Sequence, residues 1–189
     1  MTDRGRLVAL TATILKFRIE LSDVDRGVYE TLELRVAQHP SETDAFLVTR
    51  VLAFALESGP EGLEMGRGVS TPEDPAFWRR SLTGTVELWV DIGNPSPERL
   101  HRASKAAQAV AVYTHKDAEM LQRRVASTRV HRAEEIALFA VSAELIEPLA
   151  ELLGRQNDWS VVRTGPEVYV TAGGQSIVGQ VTRLPLVSG

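Results

Sequence analysis

The stretch Thr85-Val86-Glu87-Leu88-Trp89-Val90-Asp91-Ile92 constrains the fold of this chain most. Val86, Leu88, Val90 and Ile92 alternate with Glu87, Trp89 and Asp91, the period of a β-strand. Gly93-Asn94-Pro95 stops the strand. Ser96-Pro97-Glu98 then opens a helix, with a capping hydroxyl, a proline at the first position and an acid in the first turn. That helix runs to about Ala107, and Ala109–Thr114 reads as a short buried strand. Strand, helix and strand within about thirty residues make a βαβ unit with a right-handed crossover.

The flanking segments extend this unit into an α/β domain. Leu15, Phe17, Ile19 and Leu21 alternate with Lys16, Arg18 and Glu20, and residues 29–36 alternate in the same way. The turn formers of Ser22–Gly27 join the two as a β-hairpin. Pro40-Ser41-Glu42-Thr43-Asp44 starts a helix, with Ser41 and Asp44 spaced as a capping box. Residues 45–56 are apolar almost all round, broken by Thr49 and Arg50, so that helix is buried on most sides. The pattern places a short strand at 63–67, a helical turn at 76–80, a helix at 116–126, a strand at 136–141 and a helix at 143–153. Residues 159–163, 168–171 and 176–181 are strands separated by Gly-Pro and Gly-Gly turns. The expectation is one domain over residues 1–189, a mixed sheet with flanking helices, in which the hairpin and the C-terminal strands are antiparallel partners.

Composition narrows the function classes. No cysteine is present, which removes disulfides and thiolate metal sites. No apolar run approaches a membrane span, and the first twenty residues lack the apolar core of a signal peptide. A cytoplasmic protein without a membrane partner is expected. The formal net charge is −4, unlike a dedicated nucleic-acid binder. A local basic stretch nevertheless runs through Lys116, Arg123, Arg124, Arg129, His131 and Arg132. GxSxG, Walker A, GxGxxG and HExxH patterns do not occur.

What remains is a group of acids around the strand-to-helix turn, on a strand face that either meets water or holds its carboxylates by pairing or metal. Asp91 stands at the carboxyl end of its strand, where open α/β sheets bind ligands. Glu87 lies four residues earlier, roughly 13 Å away along the strand, too far to grip the same ion. Glu42, at the start of the buried helix, is either the leading partner acid from another element or a helix-dipole acid paired with a nearby arginine. Arg50 is a charge inside an apolar helix and needs a carboxylate, which Glu42, Glu87 or Asp91 supplies. Glu98, His101, Arg102 and Lys105 share a stripe that is either a solvated face or a source of cations for a phosphate. His39 is either a turn residue or a general base, and Trp89 is either core or a stacking surface.

Five stretches also carry a family resemblance: Thr13-Ile14-Leu15-Lys16; Asp23-Val24-Asp25-Arg26; His39-Pro40-Ser41-Glu42-Thr43 with Arg50; Arg67-Gly68; and Glu87 to Gly93 followed by Pro95 and the 97–107 helix. In these the chain resembles the YaeQ family of small bacterial proteins. The resemblance implies a variant of the PD-(D/E)XK, restriction-endonuclease-like fold, in which acids hold magnesium or manganese and a lysine assists the attacking water. Carried over, Glu42 matches the helix acid, and Glu87 and Asp91 are candidate strand acids. The lysine two residues after the strand acid is absent, since Trp89 follows Glu87 and Gly93 follows Asp91. Lys105 or Arg102 on the next helix is the substitute. The expected set is therefore Glu42, Glu87 and Asp91 as metal ligands; Lys105, Arg50 and His39 as catalytic groups; and Arg102, Trp89 and Ser41 as binding residues. The expected activity is metal-dependent cleavage of nucleic acid. The alternative is a non-catalytic module that binds nucleic acid or protein through the basic stretch at 116–132.

Overall fold

The computed structural model describes residues 11–68 and 71–187. The first alternating segments form strands β1 (Thr13–Asp23) and β2 (Val28–Gln38), joined as a hairpin. The buried Asp23 carboxylate accepts from the backbone N–H and Nε of Arg26, and Gly27 takes the left-handed backbone the turn needs. Helix α1 (Asp44–Glu57) follows. Its cap is Thr43, whose Oγ1 accepts from the Phe46 N–H, and not Ser41, which bonds to His39 instead. Ten consecutive residues of α1, Leu47 to Leu56, are buried. The helix packs against α4 (Ala143–Glu151) on one side and the sheet on the other.

Strands β3 (Leu63–Met65), β4 (Phe77–Arg80) and β5 (Val86–Ile92) come next, antiparallel in sequence order. The helical turn expected at 76–80 is strand β4. Phe77 enters the core edge-on to Phe54, while Trp78 on the opposite face meets Trp89. Pairing with β5 and burial of alternate aromatics outweigh local propensity in so short a segment. Helix α2 (Pro97–Ala106) then crosses to β6 (Ala109–Thr114), which is parallel to β5, as the βαβ pattern requires. Helix α3 (Ala118–Ala126), a 3-10 turn at Ala133–Glu135 and β7 (Ala137–Val141) precede α4. The chain ends in β8 (Gln156–Thr164), β9 (Glu167–Ala172) and β10 (Gln175–Pro185).

All these strands form one sheet, in the order β2-β1-β8-β9-β10-β7-β6-β5-β4-β3. The C-terminal strands pair antiparallel with each other, but β1 meets β8 parallel, so the hairpin joins them by a parallel ladder. The two halves of the sheet differ. From β2 to β10, one face is core and the other is exposed, as the alternation dictates. Strands β5 and β6 are covered on both faces. Leu88, Val90 and Ile92 join the main core under α1 and α4. Trp89, Val110 and Val112 join a second core with Leu100 of α2 and Leu121 of α3. No helix among the described residues is long and apolar enough to cross a membrane.

Candidate functional site

An open cleft of about 340 Å³ lies over the carboxyl ends of β5 and β6, lined by Arg50, Asp74, Asp91, Arg99, Lys116 and the ring of Phe46 among others. The turn after β5 builds its floor. Gly93 adopts φ 79°, and its N–H donates to the Tyr113 carbonyl at 2.9 Å. Asn94 accepts from Thr114 Oγ1 at 2.7 Å and donates to the Asp117 carbonyl at 2.9 Å, tying this turn to the one that carries Lys116. Ser96 caps α2 by accepting from the Arg99 N–H. That cap fixes the first helical turn so that Arg99 folds back over the strand.

Arg99 grips Asp91 through both carboxylate oxygens, Nε to Oδ2 at 2.8 Å and Nη2 to Oδ1 at 2.7 Å. This is the bidentate fork that makes arginine–carboxylate pairs strong. Arg99 also donates to the carbonyls of Pro72 and Asp74, which pins the loop before β4 against the cleft. Asp91 is 2% exposed. A strand face carrying carboxylates suggested solvent or metal; the structure covers it with α2 and neutralises Asp91 with Arg99.

A second pair lies behind the cleft. Arg50 Nη2 stands 3.0 Å from Glu42 Oε1 and donates to Oε2 at 3.2 Å and to the Ala37 carbonyl at 2.9 Å. Both side chains are essentially sealed from water. Burial pushes the Glu42 carboxyl above its ordinary range, although Arg50 and the His39 N–H pull it down. Burial likewise lowers Arg50, against the pull of Glu42. Arg50 Nε has no hydrogen-bond partner among the described residues. Arg50, not Glu42, reaches the cleft wall, beside Gly68.

The remaining sequence candidates are dispersed. Glu87 sits 3.5 Å from Arg79 and is half exposed, away from the cleft. Lys105 and Arg102 are exposed on α2 and do not line the cleft. His39 and Ser41 face each other at 2.8 Å in an exposed turn. Trp89 is core: it is buried under α2, edge-on to Trp78, and offers no open stacking face. The structure does not bring Glu42, Glu87 and Asp91 together, and no three His, Cys, Asp or Glu residues among those described form a cluster that fits a metal. The basic stretch is not one patch. Lys116 enters the cleft, Arg123 faces Asp117 at 3.9 Å, and Arg132 caps the end of α2 through the carbonyls of Ser104 and Ala107.

Arg99 and Asp74 are the residues that sequence reading missed. One signal was present for Arg99: it follows Asp91 by eight residues, as Arg50 follows Glu42. Nothing local marked Asp74, which reaches the cleft only because β4 folds back along β5. Lys116 is exposed and forms no ion pair among the described residues, so its ammonium is available to a ligand. The cleft thus sets three cations against two carboxylates, of which Asp91 is clamped by Arg99 and Asp74 stands 3.1 Å from Arg67 Nε.

Comparison with known proteins places these features in context. A family model described as YaeQ protein matches residues 8–181. Proteins called "Uncharacterized protein YaeQ" from Escherichia coli K12 and Shigella flexneri are each 34% identical over 108 residues, 57% of this chain. The matched region spans 59% of the length of those curated relatives. The crystal structure of YaeQ protein from Xanthomonas axonopodis pv. citri superposes with a TM-score of 0.84 at 33% identity, covering 93% of this chain and 99% of that one. That of YaeQ protein from Pseudomonas syringae gives 0.84 at 30% identity, covering 94% and 97%.

Proposed function

The chain belongs to the YaeQ family, and on that premise we propose that the cleft over Asp91 binds a phosphodiester of nucleic acid. The observation that carries this reading is the convergence of the partly exposed Arg99 and the exposed Lys116 on one cleft, with the Arg50 guanidinium behind its wall, in a chain whose net charge is −4. Lys116 supplies a mobile point charge for a phosphate oxygen. Arg99 is preorganised by its fork on Asp91, so little rotamer freedom is lost when a ligand arrives. The half-buried Phe46 ring gives the cleft an apolar wall against which a sugar or base can rest.

The test is binding of short single-stranded and duplex oligonucleotides to the full chain, in chelator, across a salt series. Binding should weaken as salt rises. Lys116→Ala should weaken it while leaving thermal stability unchanged, because Lys116 is exposed. No binding at low salt, or binding indifferent to Lys116→Ala, removes the proposal.

A second reading is magnesium- or manganese-dependent cleavage of the bound strand, favoured by Asp74 and Asp91 standing on the same cleft as the cations. As folded, the donor set does not fit a metal, since Asp91 is held by Arg99 and the acids are scattered. Metal titration decides it. A rise in melting temperature with millimolar metal, and cleavage lost in Asp91→Asn, would support turnover. No metal effect would end that reading and leave the binding proposal standing.

A further inference from the structure

The two edges of the sheet are built differently. At one end, β3 has three residues, the short edge that resists pairing with another chain. At the other, β2 has eleven, free of proline and paired with β1 without a register break from Val28↔Asp23 to Gln38↔Thr13. Among the described residues, nothing pairs with its outer side. A long, regular edge presents unpaired N–H and C=O groups to any strand that approaches. Val28, Leu32 and Leu34 pack against the main core yet remain only partly buried, because the sheet stops beside them.

We propose that β2 pairs antiparallel with β2 of a second copy of this chain, about a two-fold axis at Leu34, so that the sheet continues across a dimer. The charges select this partner and this register. With the axis at Leu34, Glu33 faces Arg35 of the second copy and Arg35 faces its Glu33, both on the solvent side. On the core side Leu34 faces its own copy, and Leu32 faces Val36. An axis at Glu33 would set that carboxylate against itself. An axis at Leu32 would set Glu33 against Thr31 and leave both charges without opposite partners. Glu33 is available, since its contact with Arg18 is a loose 3.8 Å between exposed side chains. The interface is isologous, the same patch on both subunits, as a closed dimer requires. It buries the apolar flank of β2 that one chain leaves half open.

Sedimentation velocity of the full chain, up to about 100 μM, tests the proposal. The expected result is a concentration-dependent dimer. Glu33→Arg and Arg35→Glu alone should each weaken it roughly tenfold or more, because every reversal turns two attractive pairs into repulsive ones. The double reversal should restore near-original association. Circular dichroism confirms that each variant folds, and both sites are exposed. A monomer throughout the range overturns the proposal, as does a dimer indifferent to the single reversals. A double variant no tighter than the single ones also overturns it.

Discussion

Two acid–arginine pairs, Glu42–Arg50 and Asp91–Arg99, each span eight residues of chain, and the fold uses them differently. Glu42 and Arg50 are closed off from water, and their hydrogen bonding is incomplete: Glu42 Oε1 and Arg50 Nε have no hydrogen-bond partners among the described residues. Their desolvation is a continuing cost, offset by mutual attraction and by the hold Arg50 has on the end of β2. Asp91 and Arg99 form a well-aligned fork, with Arg99 still 22% exposed and open to the cleft. Equal spacing and equal chemistry therefore produce a sealed strut in one place and a partly exposed cleft wall in the other. Access to water makes the difference, because it sets both the penalty for charge and the possibility of meeting a ligand.

The largest expected effect falls on the sealed pair. Arg50→Ala should destabilise the protein by about 3–5 kcal/mol in urea denaturation, since it leaves a buried carboxylate alone. Glu42→Gln with Arg50→Met should recover most of that loss. A single-variant loss below about 1 kcal/mol would break the contrast, because it would place the pair effectively in water. Arg99→Ala should cost less, about 1–3 kcal/mol, because solvent reaches the site, and should weaken oligonucleotide binding more than tenfold. Equal stability losses in Arg50→Ala and Arg99→Ala would show that burial is not what separates the pairs.

A pH series sharpens the comparison. The folded Glu42 carboxyl lies above its ordinary value, chiefly through burial. The fold then binds its proton more tightly than the unfolded chain does. Its contribution is fully present below the ordinary glutamate range and is lost as pH rises through the folded value. The stability of the protein relative to Glu42→Gln should therefore fall from acid to neutral pH, measured by thermal melts. A rise would mean that attraction to Arg50 outweighs burial. The smallest effect concerns His115, lowered by burial and then by Lys116. Its contribution is present above the ordinary histidine range and is lost as pH falls through the lowered value. In Lys116→Ala, His115 should titrate closer to its ordinary value by NMR, and an unchanged titration would mean that Lys116 does not act on it.

Much of the sheet was legible because alternation reports burial directly. Leu15, Phe17, Ile19 and Leu21 point inward as their spacing requires. Where both faces of a strand are covered, the same pattern misleads. Glu87, Trp89 and Asp91 read as one polar face, yet α2 buries Trp89 and Asp91 and leaves Glu87 outside with Arg79. The Arg50 charge was expected to need a carboxylate and found Glu42, the nearest along the chain of the three candidates Glu42, Glu87 and Asp91. The stripe of His101, Arg102 and Lys105 held cations at helical spacing, but Arg99, beside that stripe, is the α2 cation that lines the cleft.

The order of residues alone determined the strand periods, the cap and proline that start α2, the parallel βαβ unit and the need of Arg50 for a carboxylate. These depend on neighbours a few residues apart. Tertiary structure alone decided that Asp74, Asp91, Arg99 and Lys116 share one cleft and that Glu42 and Glu87 stand outside it. Those positions depend on which strands lie side by side and which helix covers them. Such pairings are set by burial summed over the whole sheet, and no short window of sequence contains that sum.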